Sequence, residues 1–369
     1  MSNEANVYRE LQQHLDELPI GFPATESGIE IRLLKLLFTP EEAKIATKLG
    51  FAYESLEDIY ELVDKNVMAI EELEKILDSS LKKGAVHSKT EGNTKYYINA
   101  MFMIGMYDMQ SHRTNIDDEQ LIDFLKTSSQ YFDEAMDNEM FSSGVPQFRI
   151  VPIEQSIAPI ENAITNYEHI RRLIEDVEGD IVVARCVCRN KKDLYGEPCT
   201  HTELRETCFV LKKEFTQLYI DQGWGRAVSK EEALEILQKT EEAGLVYEIG
   251  NSQRPGSLCC CCGCCCGYLS DLKEAPNPLD YISSNYQAVI DSELCIGCET
   301  CLDRCLMDAL TMVDEKSTVD LVRCIGCGCC VPTCPEDAIQ LQKIDEEKIP
   351  PKDWDELYET IEMKKKELA

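Results

Sequence analysis

The chain has 369 residues, 20 of which are cysteines, and a net charge of −31. Such a charge disfavours the wrapping of nucleic acid and adsorption to anionic lipid, because both need a positive protein surface. No apolar stretch has the length of a transmembrane helix, and residues 1–10 lack the apolar segment of a signal peptide. The sequence therefore predicts a cytoplasmic protein whose cysteines stay reduced and bind metal.

The first predicted elements are helices followed by a hairpin. Apolar periodicity and capping residues predict four helices, which lie over 29–37, after Thr39, after Ser55 and over 70–81. Thr39, Pro40 and Glu42 form a capping box at the start of the second helix. Strands at 86–87 and 96–98 flank a turn at 91–93. With the segment "LKKGAV…GNTKYYINA" at the join, this pattern resembles a winged-helix domain.

Winged helices often bind DNA, but the charges of this one oppose that role. The segment that would be its recognition helix, residues 70–83, carries four acidic side chains against three lysines. Phosphate contacts need the opposite balance. The sequence therefore predicts a docking or dimerisation module in place of a DNA-binding one.

Further helices are predicted over residues 107–140, and a second unit begins near Pro146. It has predicted strands at 148–153 and 181–184, a helix at 167–177, and a helix that Ser229 begins and Gly244 ends. A final helix is predicted to pack through Trp354, Leu357 and Ile361.

Two copies of one cysteine pattern, C-x2-C-x2-C-x3-C, follow the middle of the chain. The cysteines are Cys295, Cys298, Cys301 and Cys305 in the first copy, and Cys324, Cys327, Cys330 and Cys334 in the second, 29 positions later. This spacing is typical of ligands to two [4Fe–4S] clusters. Paired zinc ribbons, the alternative, use C-x2-C pairs and not runs of four.

Residues 281–345 closely resemble the bacterial two-cluster ferredoxins. The resemblance implies that one cluster is bound by Cys295, Cys298, Cys301 and Cys334, and the other by Cys324, Cys327, Cys330 and Cys305. Leu306 stands where the second copy has Pro335, and Cys329 is a surplus cysteine. The segment from Asp291 to Asp345 has 11 acidic and 4 basic residues. Negative surroundings stabilise the oxidised cluster, so a low-potential electron carrier is expected.

The middle of the chain holds a second concentration of cysteines. The candidate ligands there are Cys186, Cys188, Cys199, Cys208, Cys259, Cys261, Cys262 and Cys265. Two interpretations stay open: the first four cysteines bind one cluster and four of the seven between 259 and 266 bind another, or both groups converge on a single larger cluster. Structural zinc and buried free thiols are further alternatives. His201 is expected beside the site and not as a ligand.

The whole arrangement resembles a widespread group of uncharacterised prokaryotic 4Fe-4S ferredoxin-type proteins. The predicted fold class is a multidomain α+β protein with a winged-helix-like start, an α/β cysteine-rich middle domain and a two-cluster ferredoxin-like domain. The predicted segments are residues 1–27 (N-terminal segment), 28–110 (winged-helix-like domain), 111–145 (helical connector), 146–267 (middle domain), 268–283 (linker), 284–345 (ferredoxin domain) and 346–369 (helical tail).

The predicted function is iron–sulfur electron transfer to or from a partner redox enzyme. Two [4Fe–4S] clusters and one or two additional iron–sulfur clusters are expected, in an anaerobic cytoplasm. The alternatives are an oxidoreductase subunit with a catalytic middle-domain cluster and a redox-responsive transcriptional regulator. No dinucleotide-binding or P-loop motif occurs, and no catalytic residue is singled out. Redox proteins and a second copy of the chain are the expected partners, without nucleic acid or membrane insertion.

Overall fold

The computed structural model describes residues 3–157 and 164–368. Residue 1 of the predicted N-terminal segment and residue 369 of the predicted tail lie outside the described residues. The described chain forms two compact units. The first contains Met1–Ser143, Glu214–Arg226 and Glu359–Ala369, and the second contains Gly144–Lys213 and Ala227–Tyr358. Every cysteine of the chain belongs to the second unit.

The described residues combine helices with antiparallel sheet, which confirms the mixed helix and sheet composition of the prediction. The helices are α1 (Asn3–Leu15), α2 (Ile29–Leu37), α3 (Pro40–Ala46), α4 (Leu56–Glu61), α5 (Ile70–Lys82), α6 (Tyr107–Gln110), α7 (Asp118–Tyr131), α8 (Asp137–Phe141), α9 (Ile170–Glu175), α10 (Val187–Leu194), α11 (Lys213–Gln222), α12 (Lys230–Glu242), α13 (Gly267–Glu274), α14 (Thr300–Arg304) and α15 (Trp354–Leu368). The strands are β1 (Glu54–Ser55), β2 (Val86–Glu91), β3 (Thr94–Asn99), β4 (Phe148–Val151), β5 (Ile181–Arg185), β6 (Glu206–Val210), β7 (Arg226–Val228), β8 (Val246–Gly250), β9 (Ser257–Cys261), β10 (Tyr286–Ile290), β11 (Leu310–Val313), β12 (Lys316–Val319) and β13 (Ile339–Lys343).

The first unit contains the predicted helices and hairpin. The Thr39 hydroxyl accepts from the Glu42 N–H, and the Glu42 carboxylate accepts from the Thr39 N–H, which confirms the capping box at α3. The Ser55 hydroxyl caps α4 in the same way. The hairpin β2–β3 takes β1 as a third strand, in the order β1-β3-β2. Its core includes Leu73, Leu77 and Tyr97, which are fully or almost fully buried.

The second unit is built on a six-stranded sheet with the order β4-β8-β9-β6-β5-β7. The pairs β4–β8, β8–β9, β9–β6 and β6–β5 are all antiparallel. The Ser229 hydroxyl accepts from the Glu232 N–H at the start of α12, so the predicted cap is confirmed. Helix α9 is shorter than the predicted 167–177 segment, because residues 166–168 form a separate 3-10 turn.

A buried polar network attaches the ferredoxin segment to this sheet. Arg149 of β4 pairs with Glu168 at 2.7 Å, and both side chains are almost completely buried. The same carboxylate accepts from Asn285 at 2.6 Å and from the hydroxyl of Tyr286 at 2.8 Å. Nε and Nη1 of Arg149 are buried without a hydrogen-bond partner, so the network offsets only part of the cost of burying these charges while it links β4 to the start of β10.

The predicted C-terminal helix is α15, and Trp354, Leu357 and Ile361 are buried as expected. Among the described helices, none has both the length and the apolar character needed to cross a membrane.

Candidate metal centres

The two cysteine runs lie in two antiparallel ribbons of the second unit. β10 pairs with β13 and β11 with β12, so the first strand of the first repeat lies beside the last strand of the second. Each run leaves a strand as a loop and enters a short helical turn, α14 in the first repeat and the 3-10 helix Val331–Thr333 in the second. The repeats are folded around each other, and this brings the end of each run to the loop of the other.

Two cavities separate the eight thiols into two sets of four. Cys295, Cys298, Cys301 and Cys334, the first ferredoxin set, line a cavity with an empty volume of about 320 Å³. Cys324, Cys327, Cys330 and Cys305, the second ferredoxin set, line one of about 410 Å³. These are the two sets that the ferredoxin resemblance implies. Four thiols around one space suit a [4Fe–4S] cluster, and their role as its ligands stays a prediction.

Glycine is required in the loop of each run. Gly326 has φ +68°, and a Cβ there would overlap the carbonyl oxygen of Tyr286. Gly297 has φ +70°, and a Cβ there would overlap the carbonyl oxygen of Glu315. A residue with a side chain is disfavoured at this φ and has no room here, so the C-x2-C turn needs glycine at both positions.

The fourth cysteine of each run accepts a backbone hydrogen bond. The Ala309 N–H donates to Cys305 Sγ at 3.3 Å, and the Ala338 N–H donates to Cys334 Sγ at 3.3 Å. The preceding residues, Asp308 and Asp337, both have φ +50°, which turns the next N–H toward the sulfur. The repeated Asp-Ala dipeptide is therefore a device for hydrogen bonding to the thiolate.

A second pair of N–H donors reaches the first cysteine of each run. The Ser317 N–H donates to Cys295 Sγ at 3.5 Å, and the Ala288 N–H donates to Cys324 Sγ at 3.4 Å. Ser317 and Ala288 are 29 positions apart and thus occupy equivalent places. Only Ser317 has a hydroxyl, and its Oγ lies 3.4 Å from Cys301 Sγ. The two ferredoxin sets therefore differ by one side-chain hydrogen-bonding group.

The surplus cysteine, Cys329, is buried and also lines the second cavity. Its thiol donates to the carbonyl oxygen of Leu245 at 3.6 Å. Its contact with Cys327 and its burial raise the pKa of Cys329, so it favours the neutral thiol. These contacts fit the expectation that Cys329 is not a ligand, which stays a prediction.

Strand ends and helix starts position the cysteines of the middle domain. Cys186 precedes α10, and Cys266 precedes α13. In the sheet, Cys208 of β6 lies opposite Cys259 of β9. Side chains alternate along a strand, so Cys259 and Cys261 share one face of β9 and Cys260 takes the other.

Four thiols lie close together beyond the end of β9. Cys199, Cys262, Cys264 and Cys265, the four-thiol group, have all their sulfur atoms within 4.8 Å of one another. Burial opposes ionisation of Cys199, but the backbone N–H groups of Thr202 and His201 donate to its sulfur and lower its pKa to about 6. Cys199 therefore favours the thiolate, whereas burial raises the pKa of Cys262 and that of Cys265. The His201 ring contributes no hydrogen bond through Nε2, which is buried.

Six other thiols form a continuous chain of contacts on the sheet. This six-thiol group contains Cys186, Cys188, Cys266, Cys261, Cys259 and Cys208, and each thiol lies near enough to the next to shift its pKa. A carboxylate joins it, because Glu248 Oε2 lies 4.0 Å from Cys261 Sγ. Glu248, Cys261 and Cys266 are all buried and have their ligand atoms within 4.8 Å of one another.

A buried cation lies between the two groups. Arg189 is fully buried and donates to Thr207 Oγ1 at 2.6 Å and to the Cys260 carbonyl oxygen at 3.0 Å. Burial alone would lower the pKa of Arg189, but thiolate charge at Cys186 and Cys262 raises it. The guanidinium therefore stays charged and stabilises thiolates in both groups.

The candidate ligands of the middle domain are thus not grouped by their order in the sequence. Cys199 lies with Cys262 and Cys265 in the four-thiol group. The other candidate ligands lie in the six-thiol group: Cys186, Cys188, Cys208, Cys259 and Cys261. The structure adds Cys264, Cys266 and Glu248 to the candidate ligands. The two cysteines belong to the dense cysteine run, so the sequence could have indicated them. A single glutamate in a strand carries no such signal.

The comparisons with known proteins identify one segment. The sequence model of the 4Fe-4S dicluster domain matches residues 294–338. No curated protein and no solved structure matches the chain. The segment with the two cysteine runs is therefore a 4Fe-4S ferredoxin-type domain.

Proposed function

We propose that this protein relays low-potential electrons through two [4Fe–4S] clusters to or from a partner redox enzyme. The observation that carries the proposal is the division of eight thiols between two separate cavities, within the segment that matches a dicluster domain. Iron–sulfur clusters of this kind supply one-electron chemistry, and four thiolates hold each. In each cavity, two sulfur atoms accept backbone N–H donors.

The six-thiol group is proposed to hold a further iron–sulfur cluster that exchanges electrons with the second ferredoxin set. Gly263 lies two positions after Cys261 of this group, and Leu306 follows Cys305 of the second ferredoxin set. A Cβ added at Gly263 would lie 3.6 Å from Leu306 Cβ, so the segment after β9 passes close to the end of the first cysteine run. A cubane cluster needs four thiolates, so the six-thiol group has more thiols than one cubane requires. The group could therefore also hold a larger cluster.

Anaerobic purification with iron and sulfide counting, followed by EPR of the reduced protein, tests the proposal. Cys295→Ser and Cys324→Ser should each remove one [4Fe–4S] signal and about four irons, by the stoichiometry of the cube. Cys329→Ser is the matched control, because it changes a cysteine of the same segment that is not a predicted ligand. An unchanged spectrum in both ligand variants would refute the ligand assignment.

The six-thiol cluster has its own test. Iron beyond the roughly eight atoms of two cubes, lost in Cys188→Ser with both ferredoxin signals retained, would support it. Iron that stops at about eight atoms would confine the clusters to the ferredoxin domain.

A second candidate function is an oxidoreductase subunit in which the middle-domain cluster binds substrate. Glu248 favours it, since a carboxylate beside Cys261 and Cys266 is a harder and more exchangeable ligand than thiolate. Glu248→Gln would then change the EPR signal of that cluster and abolish its response to added substrate analogues. Normal electron transfer by this variant to an artificial acceptor, with no effect of any analogue on the wild type, would favour the simple relay.

The N-terminal elements are proposed to form a winged-helix-like docking or dimerisation module in a cytoplasmic protein from an anaerobic cell. Helix α5 carries Glu71, Glu72, Glu74 and Asp78, which disfavours phosphate contact and the regulator hypothesis. Gel-shift assays with oxidised and reduced protein should both be negative, and a shift in either state would restore the regulator.

A further inference from the structure

The four-thiol group differs from both ferredoxin sets in the spacing of its sulfur atoms. Cys199 Sγ lies 3.8 Å from Cys262 Sγ and 3.5 Å from Cys264 Sγ. Cys264 Sγ lies 3.7 Å from Cys262 Sγ and 3.6 Å from Cys265 Sγ. None of these pairs is bonded as a disulfide, because all of the cysteines are free.

We infer that Cys199, Cys262, Cys264 and Cys265 bind one divalent metal ion, Zn²⁺ or Fe²⁺, in a tetrahedral site of four thiolates. A tetrahedron with metal–sulfur bonds of about 2.3 Å has sulfur–sulfur edges of about 3.8 Å. The four measured separations lie close to this edge. The site would form with little movement of the side chains.

An iron–sulfur cube does not fit the same spacing. Its four cysteines bind four different irons at the corners of a cluster, so the thiol sulfurs must lie far apart around it. The thiols of each ferredoxin set line a cavity of their own. Over residues 3–157 and 164–368, neither ferredoxin set has its sulfur atoms within 4.8 Å of one another, whereas the four-thiol group does.

The surroundings supply positive charge for such a site. A divalent ion with four thiolates carries a net charge of about −2, since each thiolate contributes one negative charge. Arg189 contacts Cys262, Lys192 lies near Cys264 and Cys265, and Arg205 lies near Cys199. Lys192 and Arg205 also pair with carboxylates, so the buried Arg189 is the principal counter-charge.

The ion would join two segments that are far apart in sequence. Cys199 belongs to the loop between α10 and β6, and the other three ligands follow β9. A closed site of four cysteines is typical of structural metal, so we expect the ion to hold the loop of residues 195–205 against the end of the sheet. This role is separate from electron transfer through the ferredoxin domain.

Elemental analysis of the full-length protein, purified without oxygen, tests the inference. Cys199→Ser and Cys264→Ser should each lose one equivalent of zinc or iron and keep all acid-labile sulfide and both ferredoxin EPR signals. Cys260→Ala is the matched control, because Cys260 lies on the opposite face of β9 and belongs to neither group. It should keep the full metal content.

The identity of the ion follows from the element that is lost. If it is zinc, replacement with Co²⁺ should give the visible bands of tetrahedral cobalt thiolate in the wild type and not in Cys199→Ser. If it is iron, oxidation should give the charge-transfer absorption bands of Fe³⁺ bound by thiolates, and the iron lost in the variants should not be accompanied by a loss of acid-labile sulfide. A loss of about four irons with about four sulfides would mean a cube and overturn the inference. So would an unchanged metal content in both variants.

If a variant fails to fold, the coordination of the metal can still be measured on the wild-type protein. The extended X-ray absorption fine structure of the bound zinc should then give four sulfur neighbours at about 2.3 Å. Zinc with nitrogen or oxygen neighbours would overturn the assignment. The ferredoxin EPR signals test the proposed electron-transfer function separately, so failure of one proposal does not imply failure of the other.

Discussion

Ser317 and Ala288 are equivalent residues that give the two ferredoxin sets different surroundings. Both donate a backbone N–H to a cysteine sulfur, at 3.5 and 3.4 Å. Only Ser317 also places a hydroxyl 3.4 Å from a second sulfur, that of Cys301. Hydrogen bonds to cluster sulfur stabilise the more negative, reduced state and raise the reduction potential. We therefore expect the two clusters to have different potentials.

Replacement of Ser317 by Ala should lower the potential of the cluster bound by the first ferredoxin set, because the backbone N–H stays and only the hydroxyl is lost. A neutral hydrogen bond is worth about 0.5–1.5 kcal/mol, which corresponds to a shift of up to about 60 mV for one electron. Ala288→Ser is the complementary change and should raise the potential of the other cluster. A redox titration followed by EPR would measure both. If Ser317→Ala shifted neither potential, the hydroxyl would have no role.

At the scale of elements, Arg304 joins the ferredoxin domain to the middle domain. It ends α14, and its guanidinium donates to the carbonyl oxygens of Glu241 at 2.8 Å and Glu242 at 3.2 Å. These carbonyls lie at the end of α12, where the Glu241 oxygen also accepts from the Gly244 N–H at 2.8 Å. A cation there also interacts favourably with the negative end of the helix dipole. Arg304 thus adds a charged donor to the C-terminus of a helix more than sixty residues away.

Arg304→Ala should lower the free energy of unfolding of the second unit by about 1.5–3 kcal/mol, the range for hydrogen bonds to charged groups. Arg304→Lys should recover part of the loss, since it keeps the charge but not the planar guanidinium that reaches both carbonyls. Anaerobic denaturation in urea gives the midpoints. Arg254→Ala is the matched control, because Arg254 pairs with Asp353 at the exposed surface and should contribute less than about 1 kcal/mol. Equal effects of the two alanine variants would contradict the capping role.

At the scale of the whole molecule, the net charge of −31 decides which redox partners approach quickly. The side chains of Glu299 and Asp303, close to the first ferredoxin set, are exposed. A field of one sign raises the rate of encounter with molecules of opposite charge, and salt screens it over about 10 Å at 0.1 M. A partner with a basic docking face is therefore expected.

Electron transfer from the reduced protein to a cationic viologen should slow as the ionic strength rises, whereas transfer to an anionic dye should become faster. Stopped-flow absorbance measures both rates. Glu299→Lys with Asp303→Lys should weaken the salt dependence for the cation. A rate with the viologen that does not depend on salt would contradict electrostatic steering.

Local sequence was sufficient for the features that depend on neighbouring residues. The capping box at Thr39, the cap at Ser229 and the hairpin around residues 91–93 are all found where the sequence predicts them. Each of these features depends on contacts between residues two to four positions apart, so a short sequence motif contains all of the residues involved. The two cysteine runs belong to the same class, since their spacing alone indicates a cluster-binding loop.

Tertiary structure decided which distant residues meet. Cys199 lies with Cys262 because the loop after α10 folds back to the end of β9, and no local pattern signals this contact between residues 63 positions apart. Glu248 joins the six-thiol group because β8 pairs with β9, which places it opposite Cys259. The pattern of residues alone indicates a ferredoxin-type domain and a second thiol-rich region. The pairing of strands and the path of the loop after α10, both set by long-range burial and backbone hydrogen bonding, determine how those thiols are grouped.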